Sequence, residues 1–72
     1  MTAYPKLLDV VALAVDLPAE RLVRGQAGTV VEMLSEGHAE VEFSDDQGKT
    51  YALLPLSLDQ LIVLHHAPVV TH

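Results

Sequence analysis

Seventy-two residues of 7.8 kDa leave room for one small domain, and ten acids against four bases give a formal charge of −6, which repels phosphate backbones and favours basic partners. Leu, Ile, Val and Phe make up a third of the chain, enough to drive collapse, and with no cysteine neither a disulfide nor a thiolate metal site can supplement the core. That composition suits a reducing cytoplasm, and because Asp9 and Asp16 interrupt the first apolar stretch, neither a membrane span nor a signal peptide is expected.

Four glycines and four prolines cut the chain into pieces of strand length, at the spacing of a small barrel or sandwich. The run from Lys6 to Leu17 is ambiguous, since Leu8, Val11, Ala12 and Val15 also satisfy helical spacing. A strand over Asp9 to Val15 is favoured, because Val10, Val11 and Val15 are β-branched and the last strand of a five-strand barrel needs a partner. Next comes a β-rich segment from Gly28 to Leu34. Thr29, Val31 and Met33 share one side of it while Val30 and Leu34 share the other, which predicts a long bent strand that changes partners along its length.

The turn Ser35-Glu36-Gly37-His38 then joins that segment to Ala39-Glu40-Val41-Glu42-Phe43 as a hairpin. Strict alternation in the second strand places Ala39, Val41 and Phe43 on one face and both glutamates on the other. After the polar turn Asp45-Asp46-Gln47-Gly48, a strand over Thr50 to Leu54 is expected to stop at Pro55, which has no N–H for a ladder. Ser57 to Gln60 reads as one tight 3-10 turn and Leu61 to Leu64 as a short final strand. The expectation is thus an all-β, five-stranded barrel over residues 1–66, with a loosely held tail over 67–72.

Several of these pieces resemble a known family. Leu7-Leu8-Asp9-Val10-Val11-Ala12-Leu13, Asp16-Leu17-Pro18 and Arg24-Gly25-Gln26-Ala27-Gly28-Thr29-Val30-Val31-Glu32 are similar to the opening of the bacterial family catalogued as domain of unknown function 4926. Val41-Glu42-Phe43, Gly48-Lys49-Thr50-Tyr51-Ala52-Leu53 and Asp59-Gln60-Leu61 extend the likeness over roughly residues 7–64. The resemblance implies a small SH3-like β-barrel with no assigned activity and no catalytic or ligand residues to carry over. Members of that family are short stand-alone proteins often encoded beside another small gene of unknown or toxin-like type, which implies an antitoxin-like or immunity-like role. A looser similarity links Gly25-Gln26-Ala27-Gly28-Thr29-Val30 to the KOW motif of ribosomal and transcription-elongation proteins. There Gly28 either takes a positive φ or lets two backbones approach closely.

The densest chemistry is acidic. Glu32, Glu36, Glu40, Glu42, Asp45 and Asp46 supply six of the ten acids within fifteen residues that contain no lysine or arginine. Such a cluster steers association with a basic protein, a toxin acting on nucleic acid being one fitting partner; equally, it is what a solvated hairpin needs to stay soluble and avoid edge pairing. Other chemistry is thin. His65 and His66 point to opposite faces of a strand, His38 sits in a turn and His72 ends the chain, so no metal site is expected. Ser35, Ser44 and Ser57 lie beside turns without a base and an orienting group, so neither catalysis nor a cofactor is expected. Nucleic-acid binding would rest on Lys6, Arg21, Arg24 and Lys49 with Tyr4, Phe43 and Tyr51 for stacking, and Phe43 and Tyr51 are assigned to the core. Finally, Leu53, Leu54, Leu56, Leu58, Leu61, Ile62, Val63 and Leu64 crowd a short stretch, which predicts either a homodimer or internal wrapping of that surface.

Overall fold

The computed structural model describes residues 4–65. Five antiparallel strands, β1 (Val10–Leu13), β2 (Ala27–Leu34), β3 (His38–Ser44), β4 (Thr50–Ser57) and β5 (Leu61–Val63), form one sheet in the order β4-β3-β2-β1-β5. Two 3-10 turns, Pro18–Glu20 and Leu58–Gln60, complete the regular structure among the described residues. Bringing the last strand back beside the first curls the sheet into a small five-stranded SH3-like barrel, with a 3-10 turn leading into β5.

The bend expected in the second strand is real and has a local cause. β2 pairs with β1 through Ala27 to Thr29 and with β3 from Thr29 to Leu34, and the register shifts between Val30 and Glu32. The extra residue, Val31, is a β-bulge, which twists the strand and lets it serve both halves of the barrel. Gly28 sits at the tightest point of that curl: an added Cβ would lie 2.8 Å from the Glu42 carbonyl oxygen, 2.8 Å from Val41 Cγ1 and 3.0 Å from Phe43 Cδ1. Of the two reasons for a glycine there, close backbone approach is the one that operates.

Every strand contributes to the core. Val11 and Leu13 of β1, Val30 of β2, Ala39, Val41 and Phe43 of β3, Leu56 of β4 and Leu61 of β5 are buried together. Leu22 joins them from the β1–β2 loop, where Leu17 and Leu22 exchange backbone hydrogen bonds of 2.9 and 3.1 Å around the first 3-10 turn. Asp16 closes the same loop by accepting the Arg24 N–H at 2.8 Å.

Five expectations need correction. β4 does not stop at Pro55 but runs on to Ser57. It ends the strand order, so its unpaired side accommodates a residue without an N–H. β1 is shorter than Asp9 to Val15 because the chain bends at Ala14 and Val15, although the Ala14 N–H still bonds the Gln60 carbonyl at 2.8 Å in the register of the β1–β5 pair. β5 stops at Val63, although the Leu64 N–H still reaches the Val10 carbonyl at 2.9 Å. Tyr51 is 48% exposed rather than part of the core, because the register shift between Phe43 and Ser44 makes it the extra residue on β4. His38 opens β3 instead of closing the turn. The tail over 67–72 and His66 lie outside the described residues.

Candidate protein-binding face

The outward residues of the sheet follow from the register. Across one row, Val10, Thr29, Glu42 and Leu53 stand side by side on β1, β2, β3 and β4. The next row runs Glu32, Glu40 and Pro55. The sheet therefore carries three glutamates in its middle strands, with Leu53 and Pro55 on the neighbouring strand. This follows from period two: the same alternation that sends Ala39, Val41 and Phe43 inward sends Glu40 and Glu42 outward. Both glutamates are half-buried by their neighbours, whereas Glu32 is exposed.

The electrostatics of this face are unbalanced. Glu32 and Glu40 are direct cross-strand partners, a like-charge pair that costs stability. Glu42 is partly engaged, since its Oε2 accepts the Thr50 hydroxyl at 3.0 Å. Among the described residues the single ion pair is Lys6 Nζ to Asp9 Oδ1 at 3.4 Å, which closes the turn before β1 and leaves these glutamates uncompensated. Arg21 and Arg24 sit in the β1–β2 loop and Lys49 in the β3–β4 turn.

The six acids singled out from sequence divide by what they touch. Asp45 is structural: its Oδ1 accepts the N–H groups of Gln47 and Lys49, each at 2.9 Å, while its own N–H and C=O bond Lys49 and Gly48 across the β3–β4 turn. Glu36 is exposed at the β2–β3 turn with φ 61°, beside Gly37 at φ 75°. That turn is pinned from below by the Leu58 N–H, which donates to the Gly37 carbonyl at 2.9 Å. Asp46 is exposed in the other turn. Glu32, Glu40 and Glu42 thus stand together on adjacent rows, Glu36 lies in the β2–β3 turn beyond the Leu34–His38 pair, and Asp45 and Asp46 lie in the β3–β4 turn. The sequence singles out Leu53 only as one of the crowded apolar residues and Pro55 only as a strand end; their place beside the glutamates follows from the β4 register, visible once β4 is known to continue through the proline.

A shallow depression of about 130 Å³ lies on the same face, lined by Val10, Ala27, Gly28, Thr29, Glu42 and Ser44. It falls below the ~300 Å³ at which small-molecule pockets begin. No group of three His, Cys, Asp or Glu among the described residues is arranged to hold a metal. Of the eight apolar residues crowded between Leu53 and Leu64, Leu56 and Leu61 are buried and Leu54, Leu58 and Val63 pack against the core, leaving Leu53, Ile62 and Leu64 exposed.

No curated protein and no solved structure matches the chain. A family model does match, over residues 7–63, which takes in all five strands and both 3-10 turns. By that match the chain belongs to the family described as Domain of unknown function (DUF4926).

Proposed function

We propose that this protein is a non-catalytic interaction module that captures a basic protein through the outer face of β2 and β3, in the manner of an antitoxin or immunity partner. The observation that carries this reading is the arrangement of Glu32, Glu40 and Glu42 on adjacent rows with no cation paired to them among the described residues. A rigid, two-stranded acidic surface presents its charge without an ordering cost on binding, and like charge held in one place raises encounter rates by ~10–10³ at low salt. Leu53 and Pro55 beside it supply the apolar contact that gives such an encounter a lifetime. The partner need not be a nuclease or any other particular toxin; the chemistry asks only for a cationic surface.

The test is affinity capture from the native host with the intact protein, followed by mass spectrometry and by capture with a Glu40→Lys, Glu42→Lys variant. One basic protein at near-equal stoichiometry, lost with the double variant and weakened by salt, is the expected result. Capture unchanged by the charge reversal would remove the reading.

One observation favours an alternative, a KOW-like RNA-associated module. The Gln26 side-chain amide donates to the Tyr51 hydroxyl at 3.2 Å, which brings the half-exposed Tyr51, two residues after Lys49, to the end of the β1–β2 loop that holds Arg24. An aromatic ring with nearby cations is the minimum for stacking a base. Filter binding of single-stranded RNA at low salt separates the two readings, since retention there and no capture of a basic protein would favour the alternative.

A further inference from the structure

β4 stands at one end of the strand order and pairs with β3 alone among the described residues. No backbone hydrogen bond outside the strand ladders involves the N–H or C=O of residues 50–56, so the outer side of the strand is an open row of donors and acceptors among those residues. Proteins ordinarily guard such an edge with charge, brevity or proline. β4 is eight residues long, and Thr-Tyr-Ala-Leu-Leu-Pro-Leu-Ser carries no charged side chain. Its one guard is Pro55, which protects only the end of the strand. The opposite edge of the sheet, β5, is three residues long.

The proline also fixes which groups are free. A proline sits in a ladder without loss when its missing N–H lies on the unpaired side, and residues two apart in a strand share that orientation. Leu53 therefore turns its N–H and C=O to the open edge. Its side chain is 55% exposed and that of Tyr51 is 48% exposed, so apolar surface flanks the free backbone groups.

We infer that residues 51–55 of β4 pair antiparallel with the same residues of a second copy, about a two-fold axis at Leu53, joining two barrels through one continuous sheet. Self-pairing of an antiparallel strand meets the symmetry a dimer requires, since each Leu53 offers the other both a donor and an acceptor. Charge selects this edge over the exposed apolar residues elsewhere. Stacking two outer faces would set Glu32, Glu40 and Glu42 of both copies against one another. Edge pairing instead orders the row as Glu42, Leu53, Leu53 of the second copy, Glu42 of the second copy. Three strand spacings of ~4.8 Å then separate the glutamates by ~14 Å, beyond the ~8 Å screening length at physiological ionic strength. An uncharged strip is where two copies of a chain with a net charge of −6 can approach. This inference stands apart from the capture of a basic partner and leaves the outer face open for it.

Sedimentation of the intact protein from 1 to roughly 100 μM, with hydrogen exchange followed at the amides of residues 50–54 and of Leu56, tests it. A concentration-dependent dimer is expected, with exchange at Leu53 slowing as the dimer fills. Leu53→Lys should weaken association by at least about tenfold with an unchanged far-UV spectrum, whereas Ile62→Lys should leave it intact. If Leu53→Lys fails to fold, exchange in the unaltered protein decides. A monomer across the whole range would overturn the inference, as would a dimer that survives Leu53→Lys. Protection at Leu53 independent of concentration would also overturn it, because the chain itself would then be covering the edge.

Discussion

The two faces of β3 are built from consecutive residues of one seven-residue strand, yet their surroundings differ completely. Inward, Ala39, Val41 and Phe43 have no solvent exposure, and the packing is so close that β2 must cross them with a glycine. Outward, Glu40 faces another glutamate and Glu42 shares only one of its oxygens with a hydroxyl. The inner face is satisfied by the chain itself. The outer face is not, since a like-charge pair on a sheet is a cost that nothing within the described residues offsets. A face that folding does not require to be acidic is the reasonable place to look for function, and the two faces should answer mutation in opposite ways.

The largest effect is expected from the inner side. Gly28→Ala introduces a Cβ within 3.0 Å of the Glu42 carbonyl, Val41 and Phe43, of which the carbonyl is backbone and cannot turn aside. Relieving the clash means shifting β2 away from β3, at a cost of about 1–3 kcal/mol. A lowered urea midpoint with an unchanged slope is the expected outcome, and an unshifted midpoint would mean that the barrel is looser at this crossing than its geometry states.

The turns between the two faces give a smaller, paired effect. Asp45→Ala removes the acceptor of two backbone N–H groups in the β3–β4 turn, and should cost about 1 kcal/mol, moderated because water can reach the exposed site. Asp46→Ala, one residue on, removes an exposed carboxylate with no hydrogen bond among the described residues and should change thermal stability by less than about 0.5 kcal/mol. Equal effects would erase the distinction drawn between structural and free acids in the same stretch.

That distinction also marks the limit of what could be read beforehand. β3 was legible because Ala39 to Phe43 alternates without a break, and period two is unambiguous when one face is charged. β2 was legible only as a bend: the bulge at Val31 changes which residues share a side, so neither face reads cleanly along its whole length. The end of β4 was hidden because proline excludes a strand only where both sides are paired, and edge position is a property of the assembled sheet. The positions of the six acids were plain, but not their roles. Asp45 became structural only when Gln47 and Lys49 folded back over it, and the pairing of Glu32 with Glu40 depends on a one-residue shift that composition does not reveal.

The smallest effect has the most informative sign. Glu40→Lys places an ammonium directly across the strand pair from Glu32, replacing repulsion with attraction at a half-buried position. Cross-strand charge pairs of this kind contribute roughly 0.2–1 kcal/mol, so the variant should melt slightly higher than the unaltered protein at low ionic strength. The gain should shrink as salt is added, because the pair lies near solvent and is screened. Thermal denaturation at two salt concentrations measures both. A stabilised variant that no longer captures the basic partner would mean that the face is acidic at the expense of the fold, which is the pattern of a binding surface. A stabilised variant that captures as well as before would leave the glutamates with solubility and edge protection as their work, and the outer face of β3 would lose its claim to be the site.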